Sequence, residues 1–533
     1  MKRTTSAVAV LAAATLTLSA CGGGDESTTA GGPEGLAPDQ SERCTEDLAG
    51  GTITMGEFSM LPSFAPGQGQ YGVRGGAQSA AVYDRLMRWN PEAAEFEPKL
   101  AESLEANEDN TVWTLTLRDG VTFSNGDPLT AEDVAFTVGL HKDPATRSVS
   151  MTDAMEISEA RVVDPLTVEF TLARPWSGFP VALAGTIGEV IPQAAYEAAD
   201  PQEWARNPIG AGAFTVAEFI PDQKTVLEPN PDYYGGPVCP TLEFIRIPGS
   251  QGTYDAFQTG ELQVGLLRGA KFVNMAQQDE VQGFEEVISS GSVIYMNSGK
   301  AGYDGILTDV RARQAVGHAM DRDLWNQRLY DGEGQATSAL LAESSRLYDG
   351  QEGPAYDIER AKELVAEIKA DRPEWDGTLE MLISDGPENI EAGVVAKALL
   401  DAAGFNVVIT NAPVSQVTAR QFTGDYEIVI GGLATSDADP ASTFASAFTP
   451  TGATNLSGID NPELTAAVNE LKAAADLDAQ KEAATRLQEV FNEVQPFTVM
   501  ANAEQYVAVA DTVGGLTPTL SSTVLYDGAF VKE

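Results

Sequence analysis

The chain has 533 residues, 43% of them hydrophobic and 21% charged, an ordinary globular balance and enough length for two or three lobes with their own cores. Its 33 basic residues stand against 78 acidic ones, for a net charge of -45. That excess argues against a nucleic-acid partner and against electrostatic docking on anionic lipid, both of which need Lys/Arg clusters. It suits solubility, with steering of cationic solutes as the functional alternative.

At the N-terminus, Lys2 and Arg3 precede an apolar run from Ala7 to Leu18. A basic start, a short apolar stretch and a small-residue cleavage site make an export signal. The run is about a dozen residues, short of the ~20 that span a bilayer as a helix. Leu18-Ser19-Ala20-Cys21 is similar to the bacterial lipobox, whose Cys takes a diacylglyceryl thioether and becomes the mature N-terminus. Residues 1–20 are therefore expected to be a lipoprotein signal peptide. Cys21 would be the lipid attachment, holding the protein on the extracytoplasmic face of the cell membrane; the alternative is an ordinary signal peptide with a chance Cys. Residues 21–43, rich in Gly, Ser, Thr, Asp and Glu, read as a flexible tether. No later segment is apolar for long enough to suggest a transmembrane helix.

From Gly51 the pattern turns globular. Thr52 to Phe58 reads as a buried strand leading into a Pro/Gly-rich loop, and a helix is expected near Gln78–Trp89. Val112 to Leu117 and Leu166 to Leu172 alternate as half-buried strands do. Asp119-Gly120 and Asn125-Gly126 are turn signals. Thr130-Ala131-Glu132-Asp133 is a capping box ahead of a helix. In the second half, Asp357 caps a helix, Thr378 to Ile383 is a strand, and a helix from about Pro387 to Ala402 stops at Gly404. Strands follow at Asn406–Thr410 and Tyr426–Ile430, then helices near Pro462–Ala475 and Asp478–Val494. Strand, helix and strand in that order imply parallel βαβ units.

Beyond Cys21, two cysteines remain, Cys44 and Cys239. Each lies just before a strand candidate, in a chain expected to work where disulfides persist. They are expected to pair as neighbours and to stabilise the fold by roughly 4–5 kcal/mol on the chain-entropy model; two free buried thiols are the alternative. Catalytic apparatus is sparse. There are two histidines, His141 and His318, far apart and in helical contexts, and no nucleophile elbow, Walker loop or dinucleotide fingerprint. Neither an enzyme, a metal site nor a cofactor is expected. Asp309 to Asp323 reads as helix capping and surface ion pairing. The loop Thr435-Ser436-Asp437-Ala438-Asp439-Pro440 follows a parallel strand, where open sheets place ligands.

Several blocks carry a family resemblance. Leu100 to Ser103, with Leu117 to Val134, resembles a signature of the family 5 solute-binding proteins of ABC importers, the dipeptide, oligopeptide and nickel group. Asn207 to Phe214, Asn230 to Gly236 and Asp309 to Asp323 are similar to further blocks of that family, in order. The resemblance implies an α/β, two-lobed periplasmic-binding-protein-like fold of type II, with an extra β-rich domain inserted in lobe 1. The implied division gives lobe 1 residues 44–80, 205–268 and 505–533, the insertion 81–204, and lobe 2 269–504. It implies a monomer that closes over a small solute, most simply a peptide, and hands it to permease and ATPase subunits. A sugar, opine or metal chelate, or a role as a surface sensor, are the alternatives. Peptide binders of the family usually carry Trp and Asp after the strand matching Tyr426–Ile430. Here those positions read Leu433 and Ser436, with Asp437 beside them. The resemblance thus implies ligand candidates Glu57, Phe58, Met60, Tyr71, Val73 and Arg74 on lobe 1, and Leu433, Thr435, Ser436 and Asp437 on lobe 2.

Overall fold

A computed structural model describes residue 40, residues 42–71 and residues 75–532. The expected signal peptide, the lipid-attachment residue Cys21, almost all of the tether, and the candidates Val73 and Arg74 lie outside the described residues.

The spine is a ten-stranded mixed sheet. In chain order its strands are β1 (Thr52–Glu57), β2 (Phe214–Ile220), β3 (Lys224–Pro229), β4 (Thr241–Arg246), β5 (Val264–Arg268), β6 (Gly283–Met296), β7 (Thr378–Ser384), β8 (Asn406–Ala412), β9 (Ile428–Gly431) and β10 (Phe497–Val509). Across the sheet they run β8-β7-β9-β6-β10-β5-β1-β4-β3-β2. β1 is parallel to β4 and β5, and β7 is parallel to β8 and β9, so each side of the sheet has its own parallel core. The long antiparallel pair β6 and β10 joins the two sides.

That pair is broken by a bulge between Ile288 and Val293. Ser290 takes a left-handed backbone there (φ 54°). At Gly291 a Cβ would lie 2.2 Å from the Ala503 nitrogen, so no other residue fits without moving β10. The alternation rule does not find β6 or β10. Their ends toward the second half are buried on both faces, so apolar residues run together there.

A separate four-stranded antiparallel sheet is built from Ala101–Ala106, Val112–Leu117, Thr167–Leu172 and Ile157–Asp164, in that spatial order. Trp113, Leu115 and Leu117 all point into its core with Val168 and Phe170. The Thr130 capping box is present, and it opens the helix Ala131–Lys142. One expected element is misplaced. The helix near Gln78 runs only from Gly76 to Tyr83, and Met87–Asn90 is a strand paired with Glu95–Pro98. Asp84, at φ 58°, ends the helix, and its carboxylate is held by Arg85 N, Lys99 and the hydroxyls of Tyr233 and Tyr234.

Cys44 and Cys239 are disulfide-bonded, with Cα atoms 5.7 Å apart. The bond ties the segment before β1 to the segment before β4, and the two strands then run in parallel register from Thr52 opposite Thr241.

Candidate functional site

The carboxyl ends of β1 and β5 meet at a small cavity of about 30 Å³. Ligands of open α/β sheets gather at such ends. Glu57 and Phe58 come from the end of β1, Arg268 from the end of β5, and Ser522 and Thr523 from the C-terminal segment. Glu57 is buried. Gln78 Nε2 donates to its Oε2 at 3.1 Å, and Gln78 Oε1 in turn accepts from Thr225 at 2.8 Å. Burial pushes the Glu57 carboxyl up to about 8, against the lowering effects of Gln78 and Arg268. At neutral pH Glu57 therefore offers a proton rather than a full charge. The Arg268 guanidinium lies over the Phe58 ring at 4.9 Å.

Of the other lobe 1 candidates, Met60 is buried with its sulfur 3.7 Å from Gln78 Nε2. Tyr71 is buried beneath the Arg85 guanidinium, 3.6 Å from its ring centre, in the core of the inserted sheet. Arg85 in turn pairs with buried Glu189 at 2.7 Å.

The lobe 2 candidates lie in the loop after β9. Leu433 N and Thr435 N donate to Ser290 O at 3.0 Å and Ser289 O at 2.9 Å, so the loop is pinned to the β6 bulge. Leu433 packs against the core of the second half, and Thr435 is buried with no hydrogen bond to its hydroxyl among the described residues. Ser436 Oγ accepts from Ala438 N at 3.4 Å. Asp437 accepts from the Ser345 hydroxyl and from Arg346 N at 3.1 Å, so its carboxylate is already engaged by the chain. Ser522 connects the two groups. It lines the β1 cavity and donates to Glu286 Oε2 at 2.6 Å, and burial and the Asp437 charge both raise the Glu286 carboxyl.

Three residues that sequence reasoning did not single out gather around Asp439 at the end of this loop. Trp176, in the loop after Thr167–Leu172, donates from Nε1 to Asp439 Oδ2 at 2.9 Å. Lys472 sits 4.5 Å from the Trp176 ring centre, and its carbonyl accepts from Ser177 N at 3.2 Å. Asp439 also caps the helix Pro440–Phe448. Asp153, beside them, is raised to about 6 by burial and by Asp439, with Lys472 opposing. The only sequence signal was an aromatic in a Pro/Gly loop, Pro175-Trp176-Ser177-Gly178.

The remaining features have structural roles. His141 is buried against Ser148 and pushed down to about 4 by burial, and His318 Nδ1 lies 2.9 Å from Ala355 O. Arg311 pairs at the surface with Asp309 and Asp371, at 2.8 and 2.7 Å. Arg313 departs from the surface pairing expected of it. It is buried and donates to Val494 O and Leu307 O, each at 2.8 Å, satisfying the end of the helix Leu477–Val494. Among the described residues no group of three His, Cys, Asp or Glu could hold a metal, and no helix is long and apolar enough to cross a membrane.

Comparison with known proteins gives three kinds of match. The model of the bacterial extracellular solute-binding proteins, family 5, middle region, matches residues 95–455. The dipeptide-binding protein of Escherichia coli K12 is 27% identical over 400 residues, covering 70% of this chain and 74% of that one. Heme-binding protein A of Haemophilus influenzae is 27% identical over 386 residues, 68% of each chain. The solved structure of the periplasmic binding protein DppA from Helicobacter pylori, in complex with the peptide STSA, superposes with a TM-score of 0.73. It is 22% identical and covers 91% of this chain and 99% of that one, a shared two-lobed α/β fold.

Proposed function

Because the chain belongs to the family 5 bacterial extracellular solute-binding proteins, we propose that it captures a peptide outside the cytoplasm and presents it to the permease and ATPase subunits of an ABC importer. The observation that carries this reading is the family match over residues 95–455, which includes the inserted sheet and the loop after β9. The relative named a dipeptide-binding protein supports peptide as the solute. On this reading residues 44–80, 205–268 and 505–533 form one lobe carrying the insertion 81–204, and residues 269–504 form the other. The protein acts as a monomer. The solute lies between the β1 end and the loop 433–439, and closure turns on the β6–β10 pair at its Ser289–Gly291 bulge. Anchoring through a lipid on Cys21 keeps the receptor near its permease.

A thermal-shift screen with defined peptide pools tests the solute. A ligand at one hundred times its Kd adds about 2.7 kcal/mol by mass action, a plainly measurable rise in Tm. Silence with every pool removes the peptide reading. Cys21→Ser is expected to release the protein from the membrane fraction and leave ligand affinity unchanged, read by fractionation and titration calorimetry.

One observation favours a second reading. Leu433 and Ser436 stand at the family's usual Trp and Asp positions, and the neighbouring Asp437 is held by Ser345 and Arg346. No carboxylate of that loop is then spare for a peptide amine, which favours a solute without one, such as a sugar or a metal chelate. Heme and such compounds belong in the same screen.

A further inference from the structure

A second pocket, of about 290 Å³, shares no lining residue with the β1 cavity. Arg43, Arg88, Lys99, Arg118 and Asp527 line it, together with Tyr233 and Tyr234. Four bases against one acid is the reverse of a chain with 33 bases and 78 acids. The surrounding surface repels anions, and this pocket is a local exception.

The cations are unequally compensated. Arg88 pairs with Glu97, and Lys99 with Asp84. Arg43 Nη1 donates to Thr517 Oγ1 at 2.8 Å. Arg118 donates from Nε to Lys99 O and has no carboxylate partner among the described residues, so the rest of its exposed guanidinium is available at the rim.

Asp527 sets the chemistry. It stands 3.6 Å from Arg43 and 3.8 Å from Lys99, both beyond hydrogen-bond length. Its Oδ1 is buried away from solvent, so Oδ2, the oxygen facing both cations on a side chain 16% exposed, is the one open to the pocket. Burial opposes its charge, but Lys99, Arg43, a hydrogen bond from its own backbone N–H and Arg88 outweigh it and hold the carboxyl below the usual range. An ionised acceptor with unused capacity thus sits among cations. A bare oxyanion would be drawn by the arginines and repelled by Asp527. An oxyanion that brings its own O–H satisfies both, by accepting from Arg118 and donating to the carboxylate.

We propose that this pocket is a binding site for a small protonated oxyanion, with hydrogen phosphate as its simplest occupant and Asp527 as the group that rejects fully deprotonated anions. The site is independent of the solute cleft and of the ligand bound there.

Calorimetric titration of the full chain with inorganic phosphate near neutral pH, and with sulfate at matched ionic strength, tests it. Phosphate is expected to bind and sulfate not, because hydrogen phosphate keeps a P–OH that sulfate lacks. Arg118→Ala, at an exposed position, should weaken phosphate by about tenfold, the worth of one charge-assisted hydrogen bond. Asp527→Asn, which supplies an amide donor in place of the acceptor, should admit sulfate. Equal response to the two anions, no phosphate binding, or an Arg118→Ala titration matching the parent overturns the proposal. A folded Asp527→Asn variant, verified by circular dichroism, that still rejects sulfate overturns the role given to Asp527.

Discussion

A carboxyl buried at a strand end with one amide donor beside it prefers its proton, and Glu57 keeps that proton up to about pH 8. In the unfolded chain the same group ionises near 4.5. Between the two values the folded state holds more protons, so the stability that Glu57 contributes is whole below 4.5 and drains away as pH rises to about 8. Glu57→Gln removes that dependence. Relative to the parent, the variant is expected to gain roughly 3–5 kcal/mol between pH 4 and pH 9, read from urea unfolding across the range; parallel curves would refute it. His141 works with the opposite sign. Its pKa falls from 6.5 to about 4, so its contribution is whole above 6.5 and lost as pH falls through 4. Glu57 was legible as a strand-end residue. Its protonation was not, because Gln78 and Arg268 reach it from distant parts of the chain, and only packing brings them together.

At the scale of elements, local chemistry was readable wherever it decided the structure. The helix Pro387–Ala402 begins at its Pro and ends two residues before Gly404, as the capping signals imply. β7, β8 and β9 form the parallel core that their alternation with helices requires. Elements whose state depends on both neighbours were not readable. β6 and β10 lack a period of two because helices and loops cover both faces of their inner ends. The segment after Tyr83 looks helical until Asp84 is captured by Lys99 and two tyrosines. The Cys44–Cys239 bond closes a span of 195 residues and joins two parallel strands. Replacing both cysteines with Ser is expected to cost about 5 kcal/mol on the chain-entropy model, less any residual order in the unfolded chain. Denaturant midpoints of the parent and double variant measure it, and equal midpoints would rule it out.

On the whole molecule, the contact between the inserted sheet and the second half governs how freely the proposed closure reverses. Trp176 is buried, its indole N–H spent on Asp439 and its ring covered by Lys472. Trp176→Phe removes the donor and leaves Asp439 Oδ2 with Ser442 alone. The loss is on the order of 1–2 kcal/mol, a five- to thirtyfold shift toward separation of the halves. Small-angle scattering should then show a larger radius of gyration for the unliganded variant, and an unchanged profile would remove Trp176 from the closing contact. The disulfide has a mechanical consequence as well. A pull applied to Cys44 from its N-terminal side enters β1 and β4 together, through the sulfur bridge, at the same end of both strands. Strands in parallel register that are loaded at the same end share the force between them, so β1 and β4, both inside the ten-stranded sheet, carry a pull on Cys44 as a pair.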